Sequence, residues 1–434
     1  MELDVARLRA DTPGCTNRVH LNNAGAGLMA EPVLRAMLEH LQLEAEIGGY
    51  EAAEAQEAAI ADLYAATAAL LNCRPENIAV APSATDAYSR ALSSIPFATG
   101  DVILTTRDDY ASNQFAFLSL RKRFGAEVVQ APVLREGGVD VDAMAALMRA
   151  RRPRLVAATH IPTNSGLVQP VVEIGRHCRE LELLYIVDAC QSVGQYPLDM
   201  KELGCDFLTA TYRKFLRGPR GPGFLYVSDR ILESDYEPLF IDVRGARWVE
   251  PDMYSHAATA SRFEAWESSY AALIGCAVAT RYALSVGIER IARRTPGLGA
   301  RLRRGLEEIE PVRVLDQGRE QCAIVTFTID DRAGEAFKQQ LDARGINSSL
   351  GFREWALLDL TSKGVDWYLR LSPHYYNTEE EVGIVLGAIA ELSRATGVKS
   401  LAPRSQCAPL FSRARMRIPR RRARSRRHAA KIHR

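Results

Sequence analysis

Hydrophobic positions along the chain follow two rhythms. Residues 31–47, "EPVLRAMLEHLQLEAEI", place apolar side chains three and four apart and stop at Gly48-Gly49. Residues 58–72, "AAIADLYAATAALLN", resume that spacing, so two helices are expected before the first clear strand. The rhythm then shortens. "NIAVAP", "DVILTT", "AEVVQAP", "RLVAATH", "LLYIVDA", "CDFLTAT" and "GFLYVS" are brief apolar runs, separated by helical stretches such as "NQFAFLSLRKRF" and "VVEIGRHCREL". Strands that are apolar throughout, alternating with helices, predict an α/β fold with a mainly parallel seven-stranded sheet and helices on both faces. From about Gly297 the pattern becomes strand, strand, helix, strand, helix: "PVRVLD", "CAIVTFTID", "DRAGEAFKQQLDARG", "DWYLRLSP" and "TEEEVGIVLGAIAELSRAT". That predicts a smaller α+β unit. The expected division is an N-terminal segment 1–20, a large domain 21–290, a small C-terminal domain 291–400 and a tail 401–434.

Composition adds limits. With 434 residues, 47% of them hydrophobic, the chain can bury a large core. It has no uncharged apolar run of about 18 residues, and "MELDVARLRADTPG" lacks the apolar centre of a signal peptide. A cytoplasmic protein without a membrane partner is expected. Eight cysteines stand singly, with no C-x-x-C pair and no His/Cys cluster at metal spacing, so no metal site and no disulfide framework are expected. The net charge of +2 conceals a division. From Pro403 onward twelve Lys/Arg stand without an acid, which leaves 43 basic against 53 acidic residues before them. A like-charged run without apolar periodicity is expected to be disordered, either simply solvated or with affinity for nucleic acid.

Candidate chemistry gathers just beyond strand ends, where open parallel sheets bind ligands. "LLYIVDACQSVG" ends its strand at Asp188, and "CDFLTATYRK" ends the next apolar strand shortly before Lys214. A pyridine-aldehyde cofactor needs a lysine for a Schiff base and a carboxylate that keeps the ring nitrogen protonated. Its phosphate is best held at a helix N-terminus, which "NIAVAPSATDAYSRAL" offers near Thr85. Thr211 and Arg213 would add a hydroxyl and a charge. Taken singly, Asp188, Ser83 and Thr85 also read as helix or turn caps, and Lys214 as one more basic loop residue. Order and spacing set them apart: a phosphate-type turn, then Asp-x-x-Gln, then a lysine 26 residues later, followed by a glycine-rich loop.

"LNNAGAG", "SATDAYS", "THIPTNSG", "VDACQSVG", "TYRKFLRGPRGPG" and "LRLSPHYYNTEEEV" stand in an order that resembles the class V aminotransferase and cysteine desulfurase superfamily, pyridoxal-phosphate fold type I, over residues 18 to 395. The resemblance implies pyridoxal 5′-phosphate as cofactor, Lys214 as the Schiff-base lysine and Asp188 under the pyridine nitrogen. It implies Asn164 and Gln191 near the ring hydroxyl, Ala84, Thr85, Thr211 and Arg213 around the phosphate, and Arg370 on the substrate carboxylate. Tyr110 stands where desulfurases stack a histidine on the ring, and Trp266-Glu267 where they carry Gly-Thr toward the neighbouring subunit's phosphate. The segment Asn347–Leu360 holds no cysteine, although desulfurases place their sulfur acceptor there.

"EAEIGGYEAAEA", "RKFLRGPRGPG" and "LRLSPH" resemble the hercynylcysteine sulfoxide lyases of ergothioneine biosynthesis and the isopenicillin N epimerase-like proteins. The reaction this implies is β-elimination of a C–S bond from a cysteine S-conjugate, a small amino-acid substrate, by a homodimer. Aminotransferase and epimerase chemistry share the same early residues, and cysteine desulfurase ranks below them. Tyr50, Tyr110, Trp266 and residues 347 to 357 are the candidates for the substrate side; Glu267 and Arg353 read either as part of a charged pocket for an imidazole-bearing side chain or as surface ion-pairing residues. The non-enzyme alternative is an idle cofactor-fold scaffold that binds nucleic acid through its tail.

Overall fold

Seven predicted strands assemble into one sheet; six of them are buried on both faces, and the edge strand over Glu127–Gln130 is only partly covered. They are β1 (Ile78–Ala81), β2 (Val102–Thr105), β3 (Glu127–Gln130), β4 (Leu155–Thr159), β5 (Tyr185–Asp188), β6 (Phe207–Thr211) and β7 (Gly223–Val227), in the order β1-β7-β6-β5-β4-β2-β3. Only β7 runs against its neighbours; the other pairings are parallel. Successive residues feed opposite cores, as the alternation of a strand requires: Ile186 packs into one apolar cluster and Val187 into the other. The structure, a computed structural model, describes residues 3–394 apart from 331, so the basic tail lies outside the described residues.

Helices cover both faces. α1 (Glu31–Ile47) and α2 (Glu57–Leu71) form where the apolar spacing predicted them. Gly48, at φ +104°, ends α1, and a short helix over Gly49–Ala55 fills the gap between them. α3 (Ala84–Ser94) and α4 (Ala111–Phe124) follow β1 and β2. α5 (Tyr270–Val286) lies against α1 and α2, and α6 (Ile288–Glu307) follows it. A hairpin of β8 (Ala246–Glu250) and β9 (Met253–His256) precedes α5.

The C-terminal sheet has one strand more than its sequence suggests. β10 (Val312–Val314), β11 (Val325–Ile329), β12 (Ser349–Phe352) and β13 (Trp367–Leu371) form an antiparallel sheet in the order β10-β11-β13-β12. β12 escapes an apolar-pattern reading because "SLGF" is short and only partly buried. α7 (Leu357–Lys363) joins β12 to β13, and α8 (Glu379–Arg394) packs on α6 over a core that includes Leu302, Phe327 and Leu369. No single helix among the described residues is long and apolar enough to cross a membrane.

One buried cation ties this unit to the large sheet. Arg217, 1% exposed, donates from Nε to the Leu28 carbonyl at 2.7 Å, from Nη1 to the Tyr375 hydroxyl at 2.6 Å and from Nη2 to Thr12 Oγ1 at 2.5 Å. Its guanidinium lies over the rings of Tyr376, Tyr375 and Tyr282, at 4.4, 5.3 and 5.6 Å from their centroids. Arg217→Met removes all three hydrogen bonds and is expected to lower stability by about 3 kcal/mol. A urea unfolding midpoint within error of the parent would show that the tether is idle.

Candidate functional site

Parallel strands end on the same edge, which brings residues distant in sequence to one opening. A cavity of about 230 Å³ lies there, at the small end of ligand sites. The turn after β1 supplies its anion-receptive wall. Ser83 caps α3 with its Oγ, which accepts from the Asp86 amide at 3.1 Å, and Ala84 and Thr85 in the first turn line the cavity. This helix start can approach β7 because residue 223 is glycine: a Cβ there would collide with the backbone nitrogen of Ala84.

Lys214 stands three residues beyond β6 and lines the same cavity as Asp188. Burial lowers its pKa to about 8; Arg213 and Arg370 push the same way, while Cys190 and Asp188 oppose them. Asp188, the last residue of β5, is fixed by two donors. Its Oδ1 accepts from the Cys190 amide at 2.9 Å and its Oδ2 from Asn113 Nδ2 at 3.0 Å. The turn role that the sequence allowed Asp188 is therefore real, and it coexists with a place in the cavity wall. Burial, with Asp188 second, raises the Cys190 thiol.

Arg370, on β13, closes the far side. It is 6% exposed, and its Nη1 donates to the Thr163 carbonyl at 2.8 Å and to Thr163 Oγ1 at 2.6 Å. It has no carboxylate partner among the described residues, so a structural ion pair is not its role, and its Nε has no protein acceptor. Gln191 donates to the Ala24 carbonyl at 3.1 Å and to Thr163 Oγ1 at 2.9 Å, leaving its own carbonyl oxygen without a partner. A lysine inclined to lose its proton, a braced carboxylate, a free helix start and an unpaired guanidinium match the aldehyde, ring nitrogen and phosphate of pyridoxal phosphate and the carboxylate of an amino acid. On donor chemistry the site fits that cofactor.

Most residues expected at the site reach the cavity. Besides those above, Tyr110, Thr211 and Arg213 line it. The Thr211 hydroxyl donates to the Pro222 carbonyl at 3.4 Å, and Arg213 Nη1 donates to the Gly25 carbonyl. Asn164 does not line it. Its Nδ2 donates to Asp359 Oδ2 at 2.7 Å, and its neighbour Thr163 takes the place at the wall. Among the expected substrate-side residues only Tyr110 is in the lining. Tyr50 is 72% exposed elsewhere, Trp266 lines a different cavity, and residues 354–357 border a groove against α4. Arg353 pairs with the exposed Asp366, which is the surface-pairing alternative. Asn113, Thr159 and Thr163 are lining residues that the sequence reading missed. The spacing of Asp109, Tyr110 and Asn113 across the first turn of α4 is the one signal that could have found Asn113.

Comparison with known proteins identifies a family and a fold. The class-V aminotransferase model fits residues 19–385. A probable cysteine desulfurase of Methanothermobacter thermautotrophicus is 27% identical over 393 residues, which is 89% of this chain and 97% of that protein. A probable hercynylcysteine sulfoxide lyase of Mycobacterium tuberculosis is 29% identical over 392 residues, 90% of this chain and 94% of that protein. A solved structure of C-DES, in which glycine is covalently linked to the PLP cofactor, superposes with a TM-score of 0.79 at 25% identity, covering 88% of this chain and 99% of that one.

Two outcomes follow from the geometry. Gly223→Ala should weaken cofactor retention on the order of tenfold, because the new methyl displaces the first turn of α3; equilibrium dialysis measures it, and unchanged retention would exclude a phosphate at that turn. In cofactor-free protein, labelling of Lys214 by an amine-reactive reagent should reach half its maximal rate near pH 8. Below that pH the protonated amine is unreactive and above it the neutral amine reacts, whereas an ordinary lysine would respond more than two pH units higher.

Proposed function

The chain belongs to the class-V aminotransferase family and takes pyridoxal 5′-phosphate as its cofactor, and from that premise we propose that it is a C–S lyase that eliminates the β-sulfur group of a cysteine S-conjugate. Bound pyridoxal phosphate supplies an aldehyde that captures the substrate amine and a ring that accepts charge from Cα. The remaining work belongs to the chain. The first turn of α3, with Thr211 and Arg213, would hold the phosphate, Asp188 would keep the ring nitrogen protonated, and Tyr110 and Gln191, which line the same cavity, would contact the ring. Arg370 clamps the substrate carboxylate through its uncommitted donors. Lys214 takes the Cα proton as general base, a task suited to an amine whose pKa burial lowers to about 8. The C–S bond then breaks, the sulfur group leaves with the bonding pair, and the released three-carbon remainder is hydrolysed by water to pyruvate and ammonia.

The cysteine inventory carries the choice of elimination over desulfuration. Persulfide formation needs a thiolate at the cavity. Residues 347–360 contain no cysteine, and Cys190, which lines the cavity, is kept as a thiol by burial and by Asp188. Hercynylcysteine sulfoxide is the candidate substrate, supported by the 29% identical relative of that name and by the "EIGGYEAAEA" and "LRLSPH" motifs. We further propose a cytoplasmic homodimer. Exposed Leu34, Leu38 and Leu41 share one face of α1, and Trp248 and Tyr254 are exposed on the β8–β9 hairpin, apolar surface that a second copy would cover.

The test is pyruvate release from a panel of cysteine S-conjugates that includes hercynylcysteine sulfoxide, with Lys214→Ala as control. Lysine-dependent pyruvate is expected; a holoenzyme that releases none from any member, yet forms alanine from cysteine, would make it a desulfurase. Arg370→Ala should raise KM on the order of tenfold to a hundredfold. An unchanged KM would remove the carboxylate clamp.

A further inference from the structure

Behind Asp188 lies a second carboxylate that the proposed chemistry does not use. Asp109 sits in the loop between β2 and α4, 7% exposed, and four donors converge on it. Its Oδ1 accepts from the Tyr110 amide at 2.7 Å, from Asn113 Nδ2 at 2.9 Å and from the Thr159 hydroxyl; its Oδ2 accepts from Gln114 Nε2 at 2.7 Å. Asn113 Nδ2 is also the donor to Asp188 Oδ2, so a single amide nitrogen spends one hydrogen on each carboxylate. Thr159 and Asp188 are register partners across β4 and β5, so the strand pairing itself sets the distance that this bridge spans.

We propose that Asp109 is a positioning residue for the cofactor's ring-nitrogen carboxylate: anchored by Thr159, Gln114 and the Tyr110 amide, it orients the Asn113 amide that aims Asp188. The need for such a brace is geometric. Asp188 ends its strand, and of its two oxygens only Oδ1 is held from its own segment, by the Cys190 amide. Without the Asn113 contact the carboxylate can turn about its terminal torsion, which is broad. An unrestrained Asn113 amide could also present its oxygen to Asp188 and repel it. Asp109 prevents that reversal, because as an anion it can only accept hydrogen bonds, and so demands the NH2 end of Asn113.

Burial also raises the pKa of Asp109 to about 6, with Asp188 adding to the rise and Thr159, Asn113 and Gln114 opposing it. Protonation places a hydrogen where four donors already point, so acid should loosen the bridge. The charged and titratable groups around it are Asp188 on β5, Tyr88 on α3, and Arg107 and Asp108 in its own loop, with Asp359 of α7 on the same groove. Of these, Asp108 is itself raised to about 6, by burial first and by Asp359 second. An acid transition must therefore be assigned by substitution at Asp109, not by its midpoint.

This inference rests on the proposed place of Asp188 at the ring nitrogen, and the experiment separates the two. Full-length Asp109→Asn, Asn113→Ala, the double variant, Asp109→Glu and Asp188→Asn are reconstituted with pyridoxal phosphate. Cofactor dissociation constants and the pH dependence of the visible absorption band are recorded beside kcat and KM. If Asp188→Asn leaves both cofactor readouts unchanged, the place of Asp188 is wrong and the inference falls with it. If Asp188→Asn alters them, Asp109→Asn and Asn113→Ala should each weaken cofactor binding on the order of tenfold. Both should remove the acid transition of the band near pH 6 and lower kcat with little change in KM. The double variant should be no worse than either single, and Asp109→Glu should recover part of the loss. Additive losses, or an Asp109→Asn protein whose melting temperature falls while binding and band are unmoved, would overturn the proposal. Should Asp109→Asn fail to fold, Asn113→Ala alone decides: unchanged binding and an unchanged band refute it.

Discussion

The Lys214 loop is held in place by a buried guanidinium that has no carboxylate to neutralise it among the described residues. Arg217 lies three positions after Lys214 and is tied to Thr12 and Leu28 near one end of the chain and to Tyr375 and Tyr376 near the other. A buried unpaired cation is costly, and here three hydrogen bonds and three aromatic faces offset that cost. The consequence is positional. Lys214 cannot shift without dragging the segments that carry Ala24, Gly25 and Arg370, and all three of those residues share its cavity.

That rigidity matters because the cavity is electrostatically lopsided. Arg213, Lys214 and Arg370 face a single carboxylate, Asp188, and the positive end of α3 adds to the imbalance. Such a site suits ligands that bring at least two negative groups, as a phosphate with a carboxylate does. The same imbalance, added to burial, lowers the Lys214 pKa. One arrangement thus both attracts anions and readies a base.

The substrate side of the cavity follows the resemblance at Tyr110 and departs from it at Asn164 and the Asn347–Leu360 segment. Tyr110 lines the cavity and is 41% exposed, so an aromatic ring stands at the open side. Residues 354–359 border the groove beside α4, where Trp355, Leu357 and Leu358 are exposed, while Ser349–Phe352 pairs with β13. Asn164 turns toward residues 354–359, because Asp359 at the core of α7 takes its amide. One buried carboxylate on α7 thereby holds a side chain that the resemblance had implied at the ring.

Read alone, the sequence determined the sheet and much of the site. Seven short apolar runs alternating with helical stretches read as strands of a covered, mainly parallel sheet, and such strands put Asp188 and Lys214 at one edge whatever the details of packing. The helix start at Ala84 was equally legible, since capping and strand termination are local. What only the tertiary structure decided was which element faces and which loop side chains meet at the cavity. Asn113, Thr159 and Thr163 reach the cavity through the pairing of β4 with β5 and the placement of α4, and Tyr50, Trp266 and Asn164 miss it for the same kind of reason. Spacing along a chain fixes which face of a regular element a residue occupies. Beyond the element's end that periodicity stops, and contacts between distant segments choose the rotamer.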